Sequence, residues 1–295
     1  MLSPERLKQR AAIIRAVRCF FFDRDFLEVE TPVRLPAVAP EAHIEPERSG
    51  ARFLRASPEL EMKRLLAAGS SRIFQICRCF RQKERGSLHL PEFTMLEWYR
   101  SEADYRDLMD DCRDLLRYLG KGWRGPEKPG CDVDAEWEKL TVAEAFRRHG
   151  GMSPEEALEQ GIFEEILCRD IEPRLGIAQP TILYDYPAEL GSLARLKPDD
   201  PQTAERFELY VNGVELANGF SELNDPQEQR HRFEQERTKI VVMGRDPGPM
   251  PEKFLQDLAI MPPAAGIALG LDRLIMLLCN AATIDEVVAF TPEEL

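Results

Sequence analysis

The chain has 295 residues, 31% of them charged, with a formal net charge of -13 at pH 7. So acidic a balance speaks against an extended nucleic-acid face, since phosphate contacts need clustered Lys and Arg, while the length suffices for one domain with its own core. No signal peptide, lipidation motif or run of about eighteen apolar residues is present, and seven cysteines without regular spacing fit no disulfide framework; a cytoplasmic protein without a membrane partner is expected.

In chain order, the pattern predicts a helix over Ser3–Arg24, with Leu7, Ile14, Val17, Cys19 and Phe20 as its apolar stripe, then a strand over Leu27–Thr31. A strand near Arg52–Ala56 leads to a helix starting at Ser57, with Pro58 at its first position and Glu59 beside it. Cys77 and Cys79 share one face of the next strand; no second pair or nearby His completes a zinc site, so they read as buried thiols. The segment Tyr105 to Pro201 reads as an insertion, with helices at Tyr105–Leu119, Thr141–His149 and Pro154–Ile171 and a Gly/Pro-rich loop at Gly120–Gly130. RDPGPMPEKF, from Arg245 to Phe254, reads as a surface connection. The basic runs RLKQR and RIFQICRCFRQKER would form either a local patch for an acidic partner or ordinary solvated faces.

Three segments carry chemistry. In FRQKERGSLHLPEFTMLEWYR, Phe80 to Arg100, alternation puts Phe93, Met95, Glu97 and Tyr99 on one strand face, able to stack a base and bind a cation, although an ordinary hairpin has the same pattern. In ERFELYVNGVELANGFSELND, Asn212-Gly213 marks a two-residue turn, so that Val211 faces Val214, Tyr210 faces Glu215 and Glu208 faces Ala217. Glu208 and Glu215 then lie diagonally on one face, as hard ligands for Mg²⁺ or as a solvated acidic surface; Asn218 joins them only through a bulge, placed at Gly219. In GIALGLDRLIMLLCN, Gly266 and Gly270 admit a ligand close to the main chain, and Arg273 opens a helix whose free N–H groups favour an anion; simple packing is the plainer alternative.

Together, and in this order, the segments resemble the catalytic core of class II aminoacyl-tRNA synthetases of the lysyl branch: FLEVETPV is similar to motif 1, the Phe80–Arg100 segment to motif 2 and GIALGLDRLIMLL to motif 3. Motif 1 begins within thirty residues of Met1, so no N-terminal OB-fold that grips an anticodon is expected. The architecture therefore resembles the elongation factor P lysine ligases, synthetase paralogues lacking that domain. The resemblance implies an α+β fold, a mainly antiparallel sheet flanked by helices, as a single catalytic domain over 1–295 with a helical insertion at about 105–201. It also implies a homodimer through motif 1, no stable tRNA complex, ATP and Mg²⁺ as cofactors, lysine or (R)-β-lysine as substrate and elongation factor P as acceptor.

By the same resemblance Arg81 binds the α-phosphate and the attacking carboxylate, Arg273 the γ-phosphate, and Glu208 and Glu215 hold Mg²⁺. Phe93 stacks under adenine, His89 lies near the phosphates, and Glu84 and Gly270 complete the ATP site. Glu59 takes the α- or β-ammonium; Glu97, Tyr99, Asn218 and Glu222 surround the distal ammonium. Ala268 stands where the tRNA synthetases have glycine, and its methyl group favours the β isomer. Two departures stand out: Lys83 where the motif has Glu, with Glu84 one place later, and Leu90 in place of Asn after His89. They leave two alternatives, an enzyme charging tRNA or another carrier, and a lysine- or ATP-binding paralogue without turnover.

Overall fold

The computed structural model describes residues 1–122 and 131–295; the loop expected at Gly120–Gly130 falls, from 123 onward, outside the described residues. Helix α1 (Pro4–Phe22) is capped by the Ser3 hydroxyl, which accepts from the Arg6 N–H. Next come β1 (Leu27–Glu28), a small sheet of β2 (Arg34–Leu35), β3 (Arg48–Ser49) and β4 (Arg52–Leu54), and α2 (Glu59–Ala67). The long hairpin β5 (Arg72–Phe80) and β6 (Glu92–Ser101) leads to α3 (Tyr105–Gly122). After β7 (Glu138–Thr141), α4 (Val142–Ala145), α5 (Pro154–Glu159), α6 (Phe163–Ile166) and β8 (Thr181–Pro187) come the hairpin β9 (Thr203–Val211) and β10 (Val214–Ser221), α7 (Pro226–Val242), α8 (Glu252–Leu258), β11 (Ala264–Gly270) and α9 (Leu271–Leu278).

Eight strands form one sheet in the order β1-β5-β6-β11-β10-β9-β8-β7. Its six central strands are antiparallel, and the edge strands β1 and β7 pair in parallel with their neighbours. Alternation splits the sheet. Leu96 and Trp98 of β6, Ile267 and Leu269 of β11, and Phe207 and Leu209 of β9 face a core closed by α1, α3 and α9, where Phe21 stacks on Phe74 at 4.7 Å. Each such large side chain contributes roughly 1.5–3 kcal/mol by burial. The opposite face, partly covered by α2, α7 and α8, holds the polar residues.

Several sequence expectations shift. The strand of Leu27–Thr31 shortens to β1, Leu27–Glu28, at the sheet edge, and that of Arg52–Ala56 to β4, in the separate sheet. Helix α2 begins at Glu59 rather than Ser57, because Pro58 occupies the cap position and the Ser57 hydroxyl accepts from the Glu59 N–H. The 105–201 segment is not purely helical: β7 and β8 extend the main sheet, α3 packs in the main core, and the short helices pack on Leu140, Leu183, Tyr186 and Tyr210 of the sheet in a satellite core where Phe146 stacks on Phe163 at 4.6 Å. The helix expected over Thr141–His149 is α4 continued by a π-turn, and that over Pro154–Ile171 breaks at Gly161, whose φ is 68°. Within RDPGPMPEKF, Glu252 starts α8 and Phe254 is buried.

The largest change is in the β9–β10 hairpin. Asn212 and Gly213 both take positive φ, and Val211 and Tyr210 pair with Val214 and Glu215 as expected. A bulge then intervenes between Glu215 and Ala217, so Glu208 faces Asn218, not Ala217. The extra residue, Leu216, drops into the core and reverses the alternation beyond it. The bulge thus precedes Asn218 rather than lying at Gly219, and it turns Asn218 to the polar face.

Candidate active site

Directly opposed residues in antiparallel strands share a face, and five strands contribute one row, Gln75, Glu97, Ala268, Asn218 and Glu208. Beside it runs a second row, Tyr99, Gly266, Phe220 and Arg206. Glu97, Ala268 and Asn218 of the first row and the whole second row floor a cavity of about 610 Å³, walled by residues 41–44, Ser57 and Glu59, the β5–β6 loop with Arg81, Glu84 and His89, and Glu236 and Lys239 of α7.

One end is built for a cation. Glu97 accepts from the Ser57 hydroxyl at 2.6 Å and from the Tyr99 phenol at 2.8 Å. Burial, with Glu59 nearby, pushes its carboxyl up to about 8 despite those bonds. Behind Gly266 lies Glu222; a Cβ at Gly266 would sit 2.2 Å from Tyr99 Cε1 and 2.3 Å from Glu222 Oε1, so only glycine leaves room for both. Lys63, 1% exposed, places Nζ 2.5 Å from both Glu222 and Glu59. Burial opposes its charge, but Glu222 and Glu59 outweigh it and hold the ammonium form. Burial likewise raises Glu222 above the usual carboxylate range, against the pull of Lys63.

The other end is built for anions. Arg273, on the first turn of α9, donates to the Glu215 carbonyl at 2.7 Å and carboxylate at 3.1 Å, and contacts His89 Nε2 at 2.6 Å. Burial and this guanidinium lower the His89 pKa, so the imidazole stays neutral. Its neighbour Asp272 points away: it accepts from the Thr94 N–H at 2.6 Å and pairs with Arg10 of α1, bracing the helix against β6. Arg81 lies over the Phe93 ring, 5.1 Å from its centroid, and pairs with Glu84 at 3.7 Å. Lys83 takes a φ of 64° and turns outward to Glu45 at 2.8 Å. The motif 2 departure is therefore a one-residue offset in which Glu84 enters the cavity in place of Lys83.

The structure thus brings Glu59, Arg81, Glu84, His89, Phe93, Glu97, Tyr99, Glu215, Asn218, Ala268, Gly270 and Arg273 to one cavity. Two expected residues stand outside its lining. Glu222 is held behind the floor by Lys63, and Glu208 has both oxygens engaged, by Arg206 at 2.5 Å and by the Tyr186 and Tyr210 phenols at 2.7 and 2.6 Å. The diagonal Glu208–Glu215 pair is therefore not an open two-carboxylate site; Glu215 is the member that faces the cavity. Sequence reasoning passed over Lys63, although it lies at the i+4 position from Glu59 on α2, and Arg206, two residues before Glu208 on the same strand face. It also passed over Glu41.

Comparison with known proteins agrees with this geometry. The family of class II tRNA synthetases (D, K and N) matches residues 3–294. Proteins called elongation factor P–(R)-β-lysine ligase align over nearly the whole length: 41% identity in Pectobacterium carotovorum (99% of this chain, 96% of the relative), 39% in Sodalis glossinidius (97% and 95%) and 38% in Vibrio atlanticus (97% and 95%). The chain belongs to this ligase branch of the class II synthetases. Its sheet and flanking helices are accordingly the α+β core of that class. Among the described residues no helix of this family member is long and apolar enough to cross a membrane.

Proposed function

We propose that the protein activates a lysine-type amino acid with ATP and transfers the acyl group to a lysine side chain of elongation factor P. The observation that carries this reading is the single cavity with an acidic amine end and a two-arginine phosphate end. The amino-acid carboxylate attacks the α-phosphate beside Arg81, and pyrophosphate leaves toward Arg273, whose guanidinium offers a fork to the phosphate oxygens. Glu84 and Phe93 bind the adenine side, neutral His89 lies against the phosphates, and Gly270 keeps the wall of the site open. Glu59 takes the proximal ammonium; Glu97, Tyr99 and Asn218 take the distal one, with Glu222 behind the floor holding Lys63 in place.

Mg²⁺ commonly binds through one or two carboxylates plus substrate phosphates, a pattern that Glu215, beside the phosphate end, suits; when bound it would neutralise charge on the departing pyrophosphate. Glu208, already hydrogen-bonded, contributes field there, and Glu215 in turn helps raise its pKa after burial, the largest cause. The exposed Phe22, Leu27 and Val33 in and around the motif 1 segment support a homodimer, and the free cysteines a cytoplasmic setting. The outward turn of Lys83, with Glu84 lining the cavity instead, speaks against one of the two departures, Lys83 and Leu90, that suggested a paralogue without turnover.

Lysine- and (R)-β-lysine-dependent ATP–pyrophosphate exchange, followed by transfer of labelled amino acid to elongation factor P or to tRNA, tests the reading. Label on tRNA alone would overturn the acceptor; no exchange with either amino acid would overturn the activation. Ala268 sits between Glu97 and Asn218, so Ala268→Gly is expected to shift kcat/KM toward α-lysine about tenfold, within the roughly 1–3 kcal/mol that one methyl controls; an unchanged isomer ratio removes that role.

A pH dependence follows from Glu97. Its carboxyl, raised to about 8, is mostly protonated at pH 7 and must ionise to pair with an ammonium. Amino-acid affinity is expected to rise from pH 7 to about 8.5, with protons released on binding at pH 7, seen by calorimetry in buffers of different ionisation heat. The same shift works oppositely on the empty protein: native Glu97 binds its proton more tightly than the unfolded chain does, so its contribution to stability fades as pH rises through about 8.

A further inference from the structure

One partly buried cavity carboxylate has no task in this scheme; Glu164 and Glu189 also line the cavity but are exposed. Glu41 lies on the loop after β2, partly buried, and among the described residues its carboxylate forms no hydrogen bond and no ion pair. The other acidic groups of the inner cavity are engaged: Glu59 by Lys63, Glu84 by Arg81, Glu97 by Ser57 and Tyr99, and Glu215 by Arg273.

The loop holding Glu41 is pinned on two sides. The Ala42 N–H donates to Glu236 of α7 at 2.8 Å and Arg245 donates to the Ala42 carbonyl; the Glu45 carbonyl accepts from the Gln82 N–H at 2.8 Å while Lys83 pairs with the Glu45 carboxylate. The charged groups around Glu41 are Glu59 and Lys63 of α2, Arg81 of the hairpin and Glu236 of α7; His43 of its own loop and Lys239 of α7 line the same cavity. Glu41 thus shares the cavity with Glu59 of the proximal-ammonium subsite and Arg81 of the α-phosphate subsite and feels the charge of both; on the proposed reading the acyl carbon of an adenylate lies between those two subsites.

That position meets a chemical need. An acceptor lysine arrives as an ammonium, with an ordinary pKa of about 10.4, and cannot attack until it loses a proton. We infer that Glu41 is the general base that takes this proton from the acceptor amine during acyl transfer, an inference that rests on the ligase reading above. The ammonium nitrogen gives one proton to the Glu41 carboxylate; its lone pair forms the C–N bond at the acyl carbon. The C–O bond to the phosphate breaks with its electron pair leaving on AMP, and the second proton passes from the adduct nitrogen to water, leaving an amide. Burial, reinforced by Glu59 and opposed by Arg81, pushes Glu41 up to about 7, near the working pH where a base is most effective.

Glu41→Gln separates the two half-reactions. Pyrophosphate exchange is expected to stay within about twofold of wild type, while single-turnover transfer from preformed adenylate to elongation factor P falls by about 10²–10³-fold and recovers as pH rises. Hydroxylamine, already neutral at pH 7, should discharge the variant's adenylate at the wild-type rate, and Glu41→Asp should restore part of the transfer. Loss of exchange parallel to transfer, or transfer at the wild-type rate, overturns the role of Glu41. Wild-type protein that exchanges pyrophosphate but acylates no elongation factor P overturns the ligase reading instead.

Discussion

Replacing Arg273 by alanine is expected to lower amino-acid-dependent ATP–pyrophosphate exchange by about 10²–10³-fold, the usual cost of removing one preorganised group from a site of developing charge. Its guanidinium is anchored to the Glu215 carbonyl and carboxylate and to His89, so it is aimed before ATP arrives. Loss of the side chain removes both the phosphate ligand and the restraint on Glu215. Arg273→Lys keeps the charge but not the planar fork, and should recover only a minor part of the rate. Exchange in Arg273→Ala close to wild type, in protein with an unchanged melting temperature, would remove the γ-phosphate role.

The largest expected effect on stability is at Lys63. With 1% exposure and both carboxylate partners at 2.5 Å, it is the internal counter-ion of the amine end. Lys63→Met leaves Glu222 and Glu59 without their cation, and breaking a buried pair from one side costs about 3–5 kcal/mol. Urea titration should show that loss at pH 8, and a smaller one at pH 6, where a buried Glu222 carries a proton and no longer needs a partner. An equal loss at both pH values would make the effect one of packing rather than charge. Substrate at saturating concentration should offset part of the defect, since its ammonium groups approach the same carboxylates.

Much of this was legible from local pattern. Alternation placed Phe93, Met95, Glu97 and Tyr99 on one face because a strand's period is two whatever it packs against. Asn212-Gly213 announced its turn because both positions require positive φ, and both have it. Asn218 was harder: its side depends on the bulge at Leu216, chosen by what the core accepts rather than by the residues of the hairpin. Glu84 and Lys83 posed the same problem, since either could be the loop's inward charge until Glu45, from a distant loop, captured Lys83.

The order of motifs, the strand faces, the hairpin turn and the chemical classes of the site residues are properties of the chain, because backbone period, turn sterics and side-chain charge act over a few residues. The state of each carboxylate belongs to the folded protein. Glu59, Glu97, Glu208 and Glu222 are alike in sequence, yet one faces Lys63 at the cavity wall, one holds its proton to about 8 between Ser57 and Tyr99, one is enclosed by Arg206 and two tyrosines, and one lies behind Gly266. Burial and the charges that face each group separate them, and both arise only when strands remote in sequence pair and close the cavity.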